Sequence, residues 1–172
     1  MRRLLSSSVL LLVLAALLAA QTDNWKQYES KDGRFTVLFP GDPADHDTGA
    51  GTGVHSHTLV AAEAPTLYTV IYANPATPQP VDDATYSVYR DSVFKALPDC
   101  QVGPEQPPAP ARPGYIGHWY RLDCDSQGGK VLIEGNLYWG ARHSYAVMVM
   151  FPAGPDQPKP LKRFLESFSP ND

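Results

Sequence analysis

Seven consecutive apolar residues, Tyr145-Ala146-Val147-Met148-Val149-Met150-Phe151, constrain the fold of this chain more than any other stretch. Successive side chains of a strand point to opposite faces, so a strand apolar at every position offers no face to water. It must run through the middle of a sheet covered on both sides, and helices are the expected covers. The residues before it supply a partner arm from Lys130, with reversal near Trp139-Gly140-Ala141-Arg142, so 130–151 reads as one long hairpin.

The rest of the chain offers further strands and two helices. A short strand over Trp25–Tyr28 leads through the turn residues Lys31-Asp32-Gly33 into Phe35, Val37 and Phe39, which share one face at period two. Pro40, Gly41 and Pro43 end that hairpin, and the polar, glycine-containing stretch from Asp42 to Gly53 reads as an exposed loop. Strands over His55–Ala62 and Leu67–Ala73 follow and are expected to pair across Ala64-Pro65-Thr66. Asp82 or Asp83 caps a helix reaching about Leu97, with Tyr86, Tyr89, Val93, Ala96 and Leu97 as its apolar stripe.

Five prolines between residues 104 and 113 make a stiff, donor-poor connection unsuited to a central strand or a helix interior. A strand over Ile116–Cys124 and a turn at Ser126–Gly129 then precede the long hairpin. Leu161, Phe164, Leu165 and Phe168 form the inner face of a closing helix, with Lys162, Arg163 and Glu166 outward. Strands, helix, strands, helix with hairpin-short strand connections predict one α/β (α+β) domain over 24–169, an antiparallel sheet sandwiched between helices.

Residues 1–20 read as a secretory signal peptide. Arg2 and Arg3 precede an uninterrupted apolar run from Val9 to Ala20, too short to span a bilayer. Gln21 stands where a lipid-anchored chain would carry Cys, so release after cleavage near Ala20 is expected, to the periplasm or the exterior. Losing the two arginines moves the net charge from −4 to −6, with 12 basic against 18 acidic residues. No Lys/Arg cluster follows, which argues against nucleic acid and anionic membranes as partners and against stable membrane insertion after cleavage. Export also places Cys100 and Cys124 where thiols are oxidised, so a disulfide is expected; their spacing is not that of a redox Cys-x-x-Cys pair.

Several segments together resemble a family of secreted bacterial domains with the PsbP-like fold, named for the extrinsic protein of the photosynthetic oxygen-evolving complex. They are the pattern W..Y.S.DGRFTVLFPGDP at 25–43, YTVIYANP at 68–75, PGYIGHWYRLD at 113–123, LYWGARHSYAVMVMF at 137–151 and RFLESF at 163–168. The resemblance implies an α/β/α sandwich and an assembly or binding role more often than catalysis. It carries over no functional residue.

The sharpest chemical feature is His55-Ser56-His57, two imidazoles sharing a strand face that, with His46, Asp45 or Asp47, could hold zinc or copper. The competing reading is a polar strand start facing solvent. His118 and His143 lie beside aromatic residues and read as sheet histidines, and adjacent Ser144 points away from His143. Asp82 and Asp83 are explained by helix capping, Glu134 and Asp123 by water or Arg121. Gly49–Gly53 lacks the Lys-Ser/Thr and the helix of a phosphate loop, and no G-x-S-x-G elbow exists.

Nine tyrosines and three tryptophans are many for one small core. Tyr72, Trp119, Tyr138 and Trp139 fall on neighbouring strands or turns, where they either pack inward or line a cleft for a sugar ring, an apolar ligand or a partner loop. The function expected is therefore a non-enzymatic extracytoplasmic domain binding a protein partner or small ligand, without a cofactor. The alternative is a metal-binding protein using His46, His55 and His57.

Overall fold

The computed structural model of the chain describes residues 24–48, 55–97, 99–108, 110–126, 128–154, 158 and 160–171, with His55 described by its backbone alone. Residues 1–20, expected to be a signal peptide, and the glycine run 49–53 lie outside the described residues.

Backbone pairing builds two sheets. Strands β1 (Lys26–Ser30) and β2 (Phe35–Phe39) form the first hairpin, and β10 (Ser169–Pro170) pairs antiparallel with the other edge of β2. The reversal between β1 and β2 needs one left-handed residue, Arg34 at φ 53°, and is tied by the Ser30 hydroxyl accepting from Gly33 N at 2.9 Å.

The remaining strands are β3 (Ala44–Asp47), β4 (His55–Glu63), β5 (Thr66–Asn74), β6 (Cys100–Val102), β7 (Ile116–Ser126), β8 (Gly129–Trp139) and β9 (Ser144–Pro152). They make a seven-stranded sheet, every neighbouring pair antiparallel, in the order β3-β4-β5-β9-β8-β7-β6. The all-apolar strand β9 is its central member, as a strand with no face for water must be.

The two faces of β9 are covered differently. Helix α1 (Asp83–Lys95) packs on one face over Tyr120, Leu122, Ile133, Leu137, Ala146 and Met148. The other face meets the β1-β2-β10 sheet together with the short helix α2 (Leu161–Ser167). The fold is thus a mixed α/β domain dominated by antiparallel sheet. The expected pair of helical covers is met by one helix on one face; on the other, a hairpin shares the work because Phe35, Val37 and Phe39 supply a buried face of their own.

That second interface is aromatic. Phe35 meets Tyr72, Tyr145 and Phe168 at centroid separations of 5.5, 5.7 and 5.4 Å, and Phe39 meets Phe164 at 5.3 Å. The Tyr145 hydroxyl donates to Gly33 O at 2.8 Å, so the polar tip of a buried ring also pins the small sheet to the large one. Tyr68 in the same core has its pKa pushed up to about 12, chiefly by burial.

Two stretches differ from the sequence expectation. Residues Ala44–Asp47, expected within a loop, form the edge strand β3, paired Ala44↔Val60 through Asp47↔His57. All four are exposed, so no apolar alternation marks them, and charge on a short edge strand discourages further pairing. Strand β6 was not expected either. Cys100 and Cys124 face each other directly across β6 and β7, Cα atoms 4.0 Å apart, and are joined by the expected disulfide. Closing 24 residues of chain contributes about 3 kcal/mol in the chain-entropy picture.

The proline-rich segment continues beside β7 as an irregular edge. Gly103 N bonds Arg121 O at 2.8 Å, and Gln106 exchanges both backbone bonds with Trp119. An edge tolerates prolines because one side of the strand needs no donors.

Candidate functional site

A cleft of about 650 Å³ opens between α1 and the sheet. Its floor follows from strand register. Ser56, Ala73, Ser144 and Trp139 are successive cross-strand partners on β4, β5, β9 and β8, so they form one row on the α1 face. Three small side chains beside a large one leave a hollow that the helix spans but does not fill. Ile71 and Met148 continue the floor, and Val88, Tyr89, Val93 and Leu97 of α1 and its C-terminal turn form the roof.

Linker residues close one end. Gln79 N bonds Ala141 O at 2.8 Å, and the Trp139 indole N–H donates to Pro80 O at 2.8 Å. With that donor satisfied, the Trp139 ring lies 5.3 Å from Tyr89 at an interplanar angle of 31°. Burial raises the pKa of Tyr89, and a hydrogen bond with the Ser144 side chain opposes the shift. The phenol therefore stays neutral at ordinary pH. The other polar side chains of the lining, Ser56, Gln79, Thr85 and Ser92, are also uncharged.

Of the four aromatics singled out from sequence, the cleft contains Trp139 alone. Tyr72 and Tyr138 sit buried on the opposite face, in the aromatic core. Tyr138 stacks on Phe168 at 5.6 Å and donates to Pro110 O at 2.8 Å, and burial pushes its pKa up to about 12. A Cβ at Gly117, its partner across β7, would lie 2.8 Å from the Tyr138 ring, so a residue without a side chain is needed to seat it. Trp119 pairs with Asn136 and shares the face of Tyr138, away from Trp139.

Among the described residues the histidines join no metal-holding group. His57 donates from Nδ1 to Asp45 Oδ1 at 2.9 Å and stacks on Tyr72, centroids 5.1 Å apart and planes 6° from parallel. Register places Asp45 and Asp47 on the His57 face and His46, opposite Thr58, on the other. His46 and His57 thus do not converge, because alternation separates neighbouring strand positions. The His55 backbone pairs with Asn74, and its side chain lies outside the described residues. Among the described residues, no group of three His, Cys, Asp or Glu side chains is placed to hold a metal ion. His143 donates from Nδ1 to Asn74 Oδ1 at 2.8 Å, since Asn74 Nδ2 is committed to Asp32 O.

A second polar cluster flanks α1 on the side of β7. Glu105 Oε1 receives Arg90 Nη1 at 2.6 Å, and Glu105 Oε2 lies 3.5 Å from His118 Nδ1. The Tyr86 and Tyr120 hydroxyls share a buried hydrogen bond of 2.7 Å. Burial raises both phenols, Tyr120 to about 12, so neither is a base at neutral pH. This cluster ties α1 to the sheet and the proline-rich edge, opposite the mouth of the cleft. On the far face Glu134 is 2 % exposed and its Oε1 lies 3.3 Å from Arg121 Nη1, which accounts for a buried carboxylate; Asp123 is exposed, 3.9 Å from the same guanidinium. Asp82 caps α1, accepting from Thr85 N at 2.8 Å, with Asp83 in the first turn.

Sequence reasoning missed the cleft lining other than Trp139. Ser56, Ala73 and Ser144 are unremarkable singly and acquire meaning only once the register aligns them. No family model and no curated protein matches the chain. Among the described residues no helix is long and apolar enough to cross a membrane.

Proposed function

We propose that this chain is an exported, non-enzymatic binding domain that takes a small ligand between α1 and the central sheet. The observation that carries the reading is the row Ser56-Ala73-Ser144-Trp139, which hollows one face of the sheet beneath a helix held mainly along its opposite side. The volume is that of a typical small-molecule site, about 300–1,000 Å³, and the lining has the usual mixture of apolar walls and a few hydroxyl and amide groups. These groups bind and orient. Met148 on the floor adds an adaptable surface.

Export is supported by the apolar N-terminal segment and by the Cys100–Cys124 disulfide, a bond that persists in oxidising compartments. We read the layering of helix, sheet, and hairpin with helix as a variant of the PsbP-like α/β/α sandwich. The sequence resemblance, with its bias towards accessory and binding roles, supports the same conclusion.

The test is titration of the oxidised mature chain with the neutral dye N-phenyl-1-naphthylamine, alongside Ser92→Trp, which fills the roof from an exposed helix position. Saturable fluorescence enhancement, weakened about tenfold or more in the variant, is expected. Equal binding by both chains, or none by either, would sink the reading.

A further inference from the structure

We infer that the ligand of the α1 cleft is uncharged: an alkyl or flat aromatic body carrying at most a hydroxyl- or amide-type group. The inference rests on the cleft reading above and adds the chemistry of the occupant. Not one of the described lining residues is Asp, Glu, Lys, Arg or His. Of the ionisable side chains that adjoin the lining in sequence, Arg90 binds Asp91 and Glu105, His57 binds Asp45, and His143 binds Asn74. A carboxylate or ammonium drawn into this space would leave water without a counter-ion, which is costly, whereas an alcohol or amide loses little.

The hydrogen-bonding capacity inside is also of the neutral kind. The Ser144 hydroxyl, 3 % exposed at the floor, and the Tyr89 phenol are neutral groups that can both donate to and accept from an alcohol or amide. Ser92 Oγ donates to Tyr89 O at 2.6 Å and Ser56 Oγ meets Thr48 Oγ1 at 3.1 Å, so the polar rim is already partnered within the protein. What the cleft leaves unsatisfied is chiefly apolar surface and the exposed side of the Trp139–Tyr89 pair. Apolar burial is therefore the main source of affinity.

The matched series n-decanol, decanoate and decylammonium isolates charge from chain length. Each is used to displace N-phenyl-1-naphthylamine from the oxidised chain and from Val88→Arg, a substitution at a position 72 % exposed at the cleft mouth. Decanol is expected to compete about tenfold or more better than either ion, and Val88→Arg to recover decanoate binding selectively. Displacement by decanoate or decylammonium as strong as by decanol, or no displacement by decanol, overturns the neutral-ligand inference while leaving the cleft reading standing. Dye binding that Ser92→Trp leaves unchanged, or no dye binding at all, overturns both.

Discussion

The same four strands carry two adjacent rows of side chains with opposite character. On one face His57, Tyr72, Tyr145 and Tyr138 stand side by side across β4, β5, β9 and β8; one register step away, on the other face, stand Ser56, Ala73, Ser144 and Trp139. The first row fills its layer with rings and is sealed by Phe35 and Phe168. The second leaves a cleft. The strand β9 shows the contrast within itself: Tyr145, Val147, Val149 and Phe151 face the sealed side, while Ser144, Ala146 and Met148 face the helix. Apolar patterning makes a sheet two-sided, and side-chain volume decides which side is structural and which can receive something.

The largest expected effect breaks the sealed face. Phe35 is fully buried among Tyr72, Tyr145 and Phe168, and its removal alone would cost about 3–5 kcal/mol, much of a small domain's stability. Phe35→Asp adds an unpaired buried charge and should abolish cooperative melting in near-ultraviolet circular dichroism. A soluble variant with wild-type melting would show that the hairpin does not seal this face.

A smaller effect is expected where α1 is anchored beside the cleft. Tyr86 and Tyr120 share a buried hydroxyl–hydroxyl bond of 2.7 Å. Tyr120→Phe or Tyr86→Phe leaves one buried hydroxyl without that partner and should cost about 1–3 kcal/mol, and the double variant less than the sum. Midpoints of urea denaturation measure this non-additivity. Costs that simply add would mean that the pair does not hold the helix against the sheet.

Sequence made one side of this comparison legible and hid the other. The period-two Phe35, Val37, Phe39 and the helical spacing of Phe164, Leu165 and Phe168 announce a buried face because the signal lies within a few residues of chain. Both β4–β5 and β8–β9 are legible as hairpins for the same reason. The cleft depends on positions 56, 73, 144 and 139, which register alone unites, and no local pattern encodes that alignment. Tyr72 and Tyr138 were candidates for a cleft and proved to be core, since the identity of a strand residue does not say which face is sealed. Edge strands β3 and β6 were illegible for a further reason: their pairing is made by backbone groups, and β3 carries only exposed side chains.

The smallest expected effect separates the helix itself from the face it covers. Asp82 lies outside the cleft lining and caps α1 through Thr85 N, and that bond, with further ones from the Thr85 side chain and Ala84, holds its carboxyl below the ordinary 3.8. A depressed folded-state pKa contributes stability above the unfolded value, and the contribution is lost as pH falls through the folded one. Asp82→Ala should therefore lower the melting temperature by a nearly constant amount above about pH 5, with the gap to wild type shrinking as pH drops below 3.8. Melts across that range read the helix start in isolation: a gap that persists undiminished at low pH would assign the loss to something other than the ionised cap. If dye affinity at neutral pH falls in Asp82→Ala as well, fraying the start of α1 loosens the cleft roof, and the helix rather than the sheet sets its shape.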